Sequence, residues 1–169
     1  TLASNSNYVV NFTSGTLTVN PVNLTLTANN QSTVYGTALT LGSTAVTPVG
    51  LVNGDIVTGV NLSYGVNNAN VVPSTVNAGS YAINISNATG INANNYVMTY
   101  TPGVVSITPK SITVTANNAT MAYADNVLPV LSYANVTGLI NGDSLSGSLT
   151  TSAKSYNGVA GSASNVGNY

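Results

Sequence analysis

Apolar side chains alternate with threonine along several short stretches of the chain. In residues 15–19, in Leu24-Thr25-Leu26-Thr27-Ala28 and in Ile112-Thr113-Val114-Thr115-Ala116, every second side chain is apolar. That is the period of a strand with one buried face. Val, Thr, Ile and Tyr suit a pleated surface, and no helical period extends over a useful length. Between residues 22 and 109 the pattern predicts seven strands, near 24–28, 33–41, 45–50, 56–64, 80–86, 95–101 and 103–108. Seven short strands in ~90 residues predict an all-β fold, an antiparallel two-sheet sandwich of immunoglobulin type. A β-grasp or another small β fold is the alternative, because the pattern does not carry strand order. The expected core is Leu24, Leu26, Tyr35, Leu39, Leu51, Val57, Leu62, Tyr81, Ile83, Ile85, Tyr96, Met98, Val105 and Ile107.

The pattern also returns. Residues 1–81 laid over 89–169 match at 24 of 81 positions without a gap, a period of 88. Asn7-Tyr8-Val9 returns as Asn95-Tyr96-Val97, and Gly50-Leu51-Val52-Asn53-Gly54-Asp55 as Gly138-Leu139-Ile140-Asn141-Gly142-Asp143. A fixed period of this length indicates an array of one module, and arrays supply reach or multivalency. Pro21 and Pro109 cannot donate a ladder hydrogen bond and mark the joins. The expected division is a terminal strand pair in 1–21, a complete module in 22–109, and a second module in 110–169 that lacks its last strands.

Composition narrows the function. The 169 residues hold no His, Cys, Trp, Glu or Arg, and the charges are Asp55, Lys110, Asp125, Asp143 and Lys154. General acid–base and nucleophilic catalysis need such groups placed together, so an enzyme is not expected. Zinc sites want Cys and His, and calcium sites want clustered carboxylates, so no metal or cofactor is expected. Two lysines cannot supply a nucleic-acid surface. No apolar run approaches the ~20 residues of a spanning helix. The polarity comes from 26 Asn, 19 Ser and 23 Thr, which make an uncharged, hydrated and protease-resistant surface. Eight Asn-x-Ser/Thr sequons match what this composition gives by chance.

Several words recur in a fixed order: Thr-Ala-Asn-Asn leading to Val34-Tyr35-Gly36, then Gly50-Leu-Val-Asn-Gly-Asp55, Asn77-Ala-Gly-Ser-Tyr81, Asn94-Asn95-Tyr96 and Val105-Ser-Ile107-Thr-Pro109. In this order the chain resembles the MBG/YDG-type repeats of large bacterial surface proteins, many of them filamentous-haemagglutinin-like exoproteins and adhesins. The second copy has Ala124 where the first has Gly36, so the Tyr-Gly corner is not strict. The resemblance implies an extracellular, surface-attached or fibrous role.

Three sets of residues carry the candidate function. Asn53, Gly54 and Asp55, with Asn141, Gly142 and Asp143, read as tight turns in which Asn-Gly supplies the positive φ angles and Asp caps. Tyr64, Tyr133 and Tyr156 do not recur at the 88-residue period, so they are the candidates for exposed glycan contact. Tyr8, Val10, Phe12, Leu17 and Val19 repeat the closing strands of a module ahead of the first complete copy. They are the candidates for strand exchange, in which residues 8–19 of one chain complete the 110–169 module of another. The expected partners are therefore copies of the chain or adjacent repeats, with glycans or a cell surface as the alternative.

Overall fold

The computed structural model describes residues 7–65 and 69–169. The first module is built from nine strands: β1 (Val22–Ala28), β2 (Gln31–Val34), β3 (Leu39–Thr40), β4 (Val46–Val49), β5 (Gly59–Tyr64), β6 (Val71–Val72), β7 (Gly79–Thr89), β8 (Tyr96–Thr101) and β9 (Gly103–Thr108). They form a three-stranded sheet in the order β4-β1-β8, a four-stranded sheet in the order β2-β9-β7-β5, and a β3-β6 ribbon. The all-β, sandwich-like class expected from the alternation is what forms.

The pairing departs from a purely antiparallel sandwich. β1 pairs with β8 in parallel, and β2 pairs with β9 in parallel. Thr27 faces Thr101 and Gln31 faces Val105, so the offset of 74 survives the step from one sheet to the other. Residues 22–34 and 96–108 are thus two long strands lying side by side, each bent so that its first half belongs to one sheet and its second half to the other. Val22 and Tyr96 stand at one pole of the module, Val34 and Thr108 at the opposite pole. The short link from Thr89 to Tyr96 agrees with this direction, since ~3.4 Å per residue cannot carry it across the whole module twice.

The bend has its own chemistry. At the crossing the ladder is interrupted, and the Val104 N–H donates instead to the Asn30 side-chain oxygen at 2.8 Å. Gly103 permits the close approach, because a Cβ there would lie 2.5 Å from the Ala28 carbonyl oxygen.

The core lies between the sheets and holds Leu24, Leu26, Ala28, Leu41, Val60, Leu62, Val72, Ile83, Ile85, Tyr96, Val105 and Ile107. Tyr35, Leu39, Leu51, Val57, Tyr81 and Met98 pack against it half-buried. The expected strand over 33–41 is broken in two by a turn at Tyr35-Gly36, where Gly36 has a φ of +89°. Val72, which is fully buried, sits in a two-residue strand too short to alternate visibly.

The second copy uses the same signals with a different result. Where β1 and β4 align Thr25 with Val49, the second copy forms an isolated bridge between Thr113 and Thr137, 88 positions on in both partners. A second bridge joins Ala116 to Tyr133. No strand of two or more paired residues develops over 112–116, and Ile112 and Val114 are 38% and 41% exposed where Leu24 and Leu26 are fully buried. The reason is partnership. β1 is held by its parallel neighbour β8, whereas among the described residues 112–116 pair with no parallel strand. The expected strand at 15–19 is likewise absent: Tyr8, Phe12, Leu17 and Val19 are 72%, 74%, 89% and 86% exposed and Val10 is 39% exposed.

Candidate functional site

The two Asn-Gly-Asp loops have almost the same backbone. φ is +56° at both Asn53 and Asn141, +77° and +80° at Gly54 and Gly142, and +107° and +97° at Gly50 and Gly138. Each Asp N–H closes the turn onto the carbonyl three residues back, Asp55 to Val52 at 3.0 Å and Asp143 to Ile140 at 2.9 Å. Only Gly and Asn adopt these left-handed angles at little cost, so the loop forms from local chemistry even where its module has no sheets.

Their surroundings differ. Asp55 is held within its own module: the Tyr96 hydroxyl donates to its carboxylate at 2.7 Å and also lies against the Val52 backbone. The bond to Asp55 is the main reason that the Tyr96 phenol titrates above its ordinary value, the Val52 backbone contact acting the other way. Asp143 reaches across to the first module. The Tyr35 hydroxyl donates to its carboxylate at 2.8 Å, and the Asn141 side-chain amide donates to the Ser74 carbonyl at 3.1 Å. Ile140 lies directly over Gly36, where a Cβ would overlap its Cδ1. Tyr35, Lys110, Ile112, Leu139 and Ile140 line a hollow of about 160 Å³ between the two copies. The Tyr-Gly corner is itself pinned, by Tyr35 N–H to the Thr108 carbonyl at 2.9 Å and Gly36 N–H to the Ser74 carbonyl at 3.2 Å. The loop of the second copy therefore sits on the far pole of the first.

Recurring tyrosines make recurring corners. The Tyr81 hydroxyl donates to the Asn77 carbonyl at 3.0 Å, and Tyr169 donates to Asn165 at 2.7 Å, the same contact 88 positions on. The non-recurring tyrosines do not converge. Tyr64 packs edge-to-face on Tyr81, with ring centroids 5.5 Å apart, and its phenol is pushed up chiefly by burial. Tyr156 is half-buried, and its N–H donates to the Asp125 carbonyl. Tyr133 is 43% exposed and borders an open groove of about 560 Å³ with Leu128, Leu131 and Leu149. The same stretches of the first copy contribute Leu41, Val60 and Leu62 to the core.

The MBG domain of the YGX type matches residues 24–106 and again 112–169. The chain belongs to the MBG family. The first of its two MBG repeats carries the Tyr35-Gly36-Thr37 word at the pole where the second repeat lands. No curated protein and no solved structure matches it. Among the described residues no three His, Cys, Asp or Glu side chains gather where they could hold a metal ion, and no helix is long and apolar enough to cross a membrane. The Tyr35–Asp143 bond spans 108 positions, and no local pattern in the sequence signals it.

Proposed function

We propose that the chain is a structural repeat of a secreted bacterial surface protein, in which strand pairing and packing between modules carry the function. The observation that carries this reading is the contact of residues 140–143 with Tyr35, Gly36 and Ser74. A module whose two ends stand at opposite poles, and whose far pole receives the next copy, adds length with each repeat. The MBG family, the neutral Asn/Ser/Thr surface and the want of grouped reactive side chains fit an extracellular stalk better than an enzyme.

Within this reading a stalk is favoured over a fibre closed between chains. Residues 7–20 of a neighbouring chain would bring equivalents of β8 and β9 to the second copy. They would not bring the stretch matching 82–88, which lies in β7 between β9 and β5 and contains the buried Ile83 and Ile85. Light scattering and negative-stain imaging of the 169-residue chain, with and without residues 1–20, test this. Discrete particles in both cases are expected; regular filaments that vanish on the deletion would replace the stalk by a strand-exchange fibre.

A glycan-binding role rests on the groove beside Tyr133. The same stretches of the first copy supply the core residues Leu41, Val60 and Leu62, which favours a protein strand as the natural occupant. Glycan-array binding abolished by Tyr133→Ala would reverse that preference.

A further inference from the structure

One joint between copies is occupied in this chain, and the residues of a second stand open at the other pole. We propose that the Asn53-Gly54-Asp55 loop is a docking surface for the Tyr-Gly corner of another copy of this repeat. The inference rests on the stalk reading and names the contact by which its modules meet.

The occupied joint supplies the template. The loop at 138–143 and the loop at 50–55 share their backbone angles and their closing hydrogen bond. Val52, 40% exposed, stands where Ile140 covers Gly36. Asn53 stands where Asn141 donates to the Ser74 carbonyl, and Asp55 where Asp143 accepts from Tyr35. Asp55 already accepts from Tyr96, yet a carboxylate has two oxygens and about four acceptor directions, so a second phenol fits. The arriving corner would then share Asp55 with Tyr96, tying its own module to the first residue of β8. Apolar contact, a charge-assisted bond and an amide–carbonyl bond are supplied together, as in the joint already formed. The contact is head-to-tail: the loop lies at the Val22 pole and the corner at the Thr108 pole, so successive contacts continue without closing.

The chain cannot make this contact with its own Tyr35 corner, because Asp143 occupies it. Releasing that corner gives the test. In the full chain carrying Asn141→Ala and Asp143→Ala, the folded first module presents both a free corner and a free loop. Sedimentation equilibrium should give a self-association constant about tenfold above that of the unmodified chain, the worth of one hydrogen bond to a charged group. Adding Tyr35→Phe, which keeps the ring, should return it to the original value. Amide exchange at 138–143 confirms that the internal joint has opened, and unchanged exchange over β7 confirms an intact module. Association that does not rise once the joint is open overturns the proposal. So does a rise that Tyr35→Phe leaves untouched. Filaments that disappear when residues 1–20 are removed would instead count against the stalk reading, and they are seen in a different variant.

Discussion

Gly103→Ala examines the bend on which the sandwich depends. The added Cβ would meet the Ala28 carbonyl oxygen at 2.5 Å, its carbon at 3.0 Å and the Ala28 Cβ at 3.2 Å. All three belong to the backbone or its first side-chain atom, at the crossing between the β1–β8 and β2–β9 ladders, so no flexible side-chain end can give way. Overpacking of this kind costs about 1–3 kcal/mol. Widening the crossing also stretches the bond from Val104 N–H to the Asn30 side chain, worth about 1 kcal/mol. For a module of this size, a loss of about 2–3 kcal/mol lowers Tm by on the order of 10 °C. Thermal unfolding followed by far-ultraviolet circular dichroism reads it directly. Gly15 is the internal control: it holds the same place in the repeat, and nothing lies within 4 Å of a Cβ there. Gly15→Ala should leave Tm unchanged. A Gly103→Ala chain that melts with the unmodified chain would refute the argument that the two bent strands need this contact distance. A Gly15→Ala chain that melts early would show that residues 7–20 are paired in solution.

Leu24→Ala should cost about 2–5 kcal/mol by opening a core cavity, while Ile112→Ala, at the equivalent but 38% exposed position, should cost markedly less; urea midpoints compare them. Gly36→Ala should destabilise by about 1–3 kcal/mol because φ is +89° there and Ile140 must shift from the new Cβ, whereas Ala124→Gly, at φ +67°, should relieve backbone strain, measured as a slowing of amide exchange around residue 124. Tyr96 gives a pH signature: its phenol keeps its proton more firmly when folded, so its contribution is whole below pH 10 and is lost as pH rises through the raised folded value. The unmodified chain should therefore lose stability above pH 10 more steeply than Tyr96→Phe, and parallel pH profiles for the two would contradict this.

Much of the module was legible in its alternation. Leu24 and Leu26 on β1, and Val105 and Ile107 on β9, are buried because each strand has one face on the core and neighbours to hold it there. Alternation states that a segment can be a strand, and a partner decides whether it is one. Ile112-Thr113-Val114 reads as well as Leu24-Thr25-Leu26, yet is half-exposed and pairs with no parallel strand among the described residues. The bend at Asn30 and Gly103 was not legible, because it depends on two segments 74 positions apart meeting in the same direction. The tight turns of the Asn-Gly-Asp loops are legible in local φ requirements. Their contacts with Tyr96 and Tyr35 are not, since a phenol 41 or 108 positions away leaves no local trace.

The parallel course of residues 22–34 and 96–108 has a mechanical consequence. A load applied to the module enters at Val22 and leaves at Thr108, so it draws the first strand toward one pole and the last toward the other. These two strands are direct neighbours, and the load runs along their shared ladder. The ladder hydrogen bonds are then strained together in shear, instead of opening one after another as they would in a hairpin peeled from its end. Rupture under load is governed by the height of that collective barrier. The module is therefore strongest along the axis on which a tethered array would be pulled.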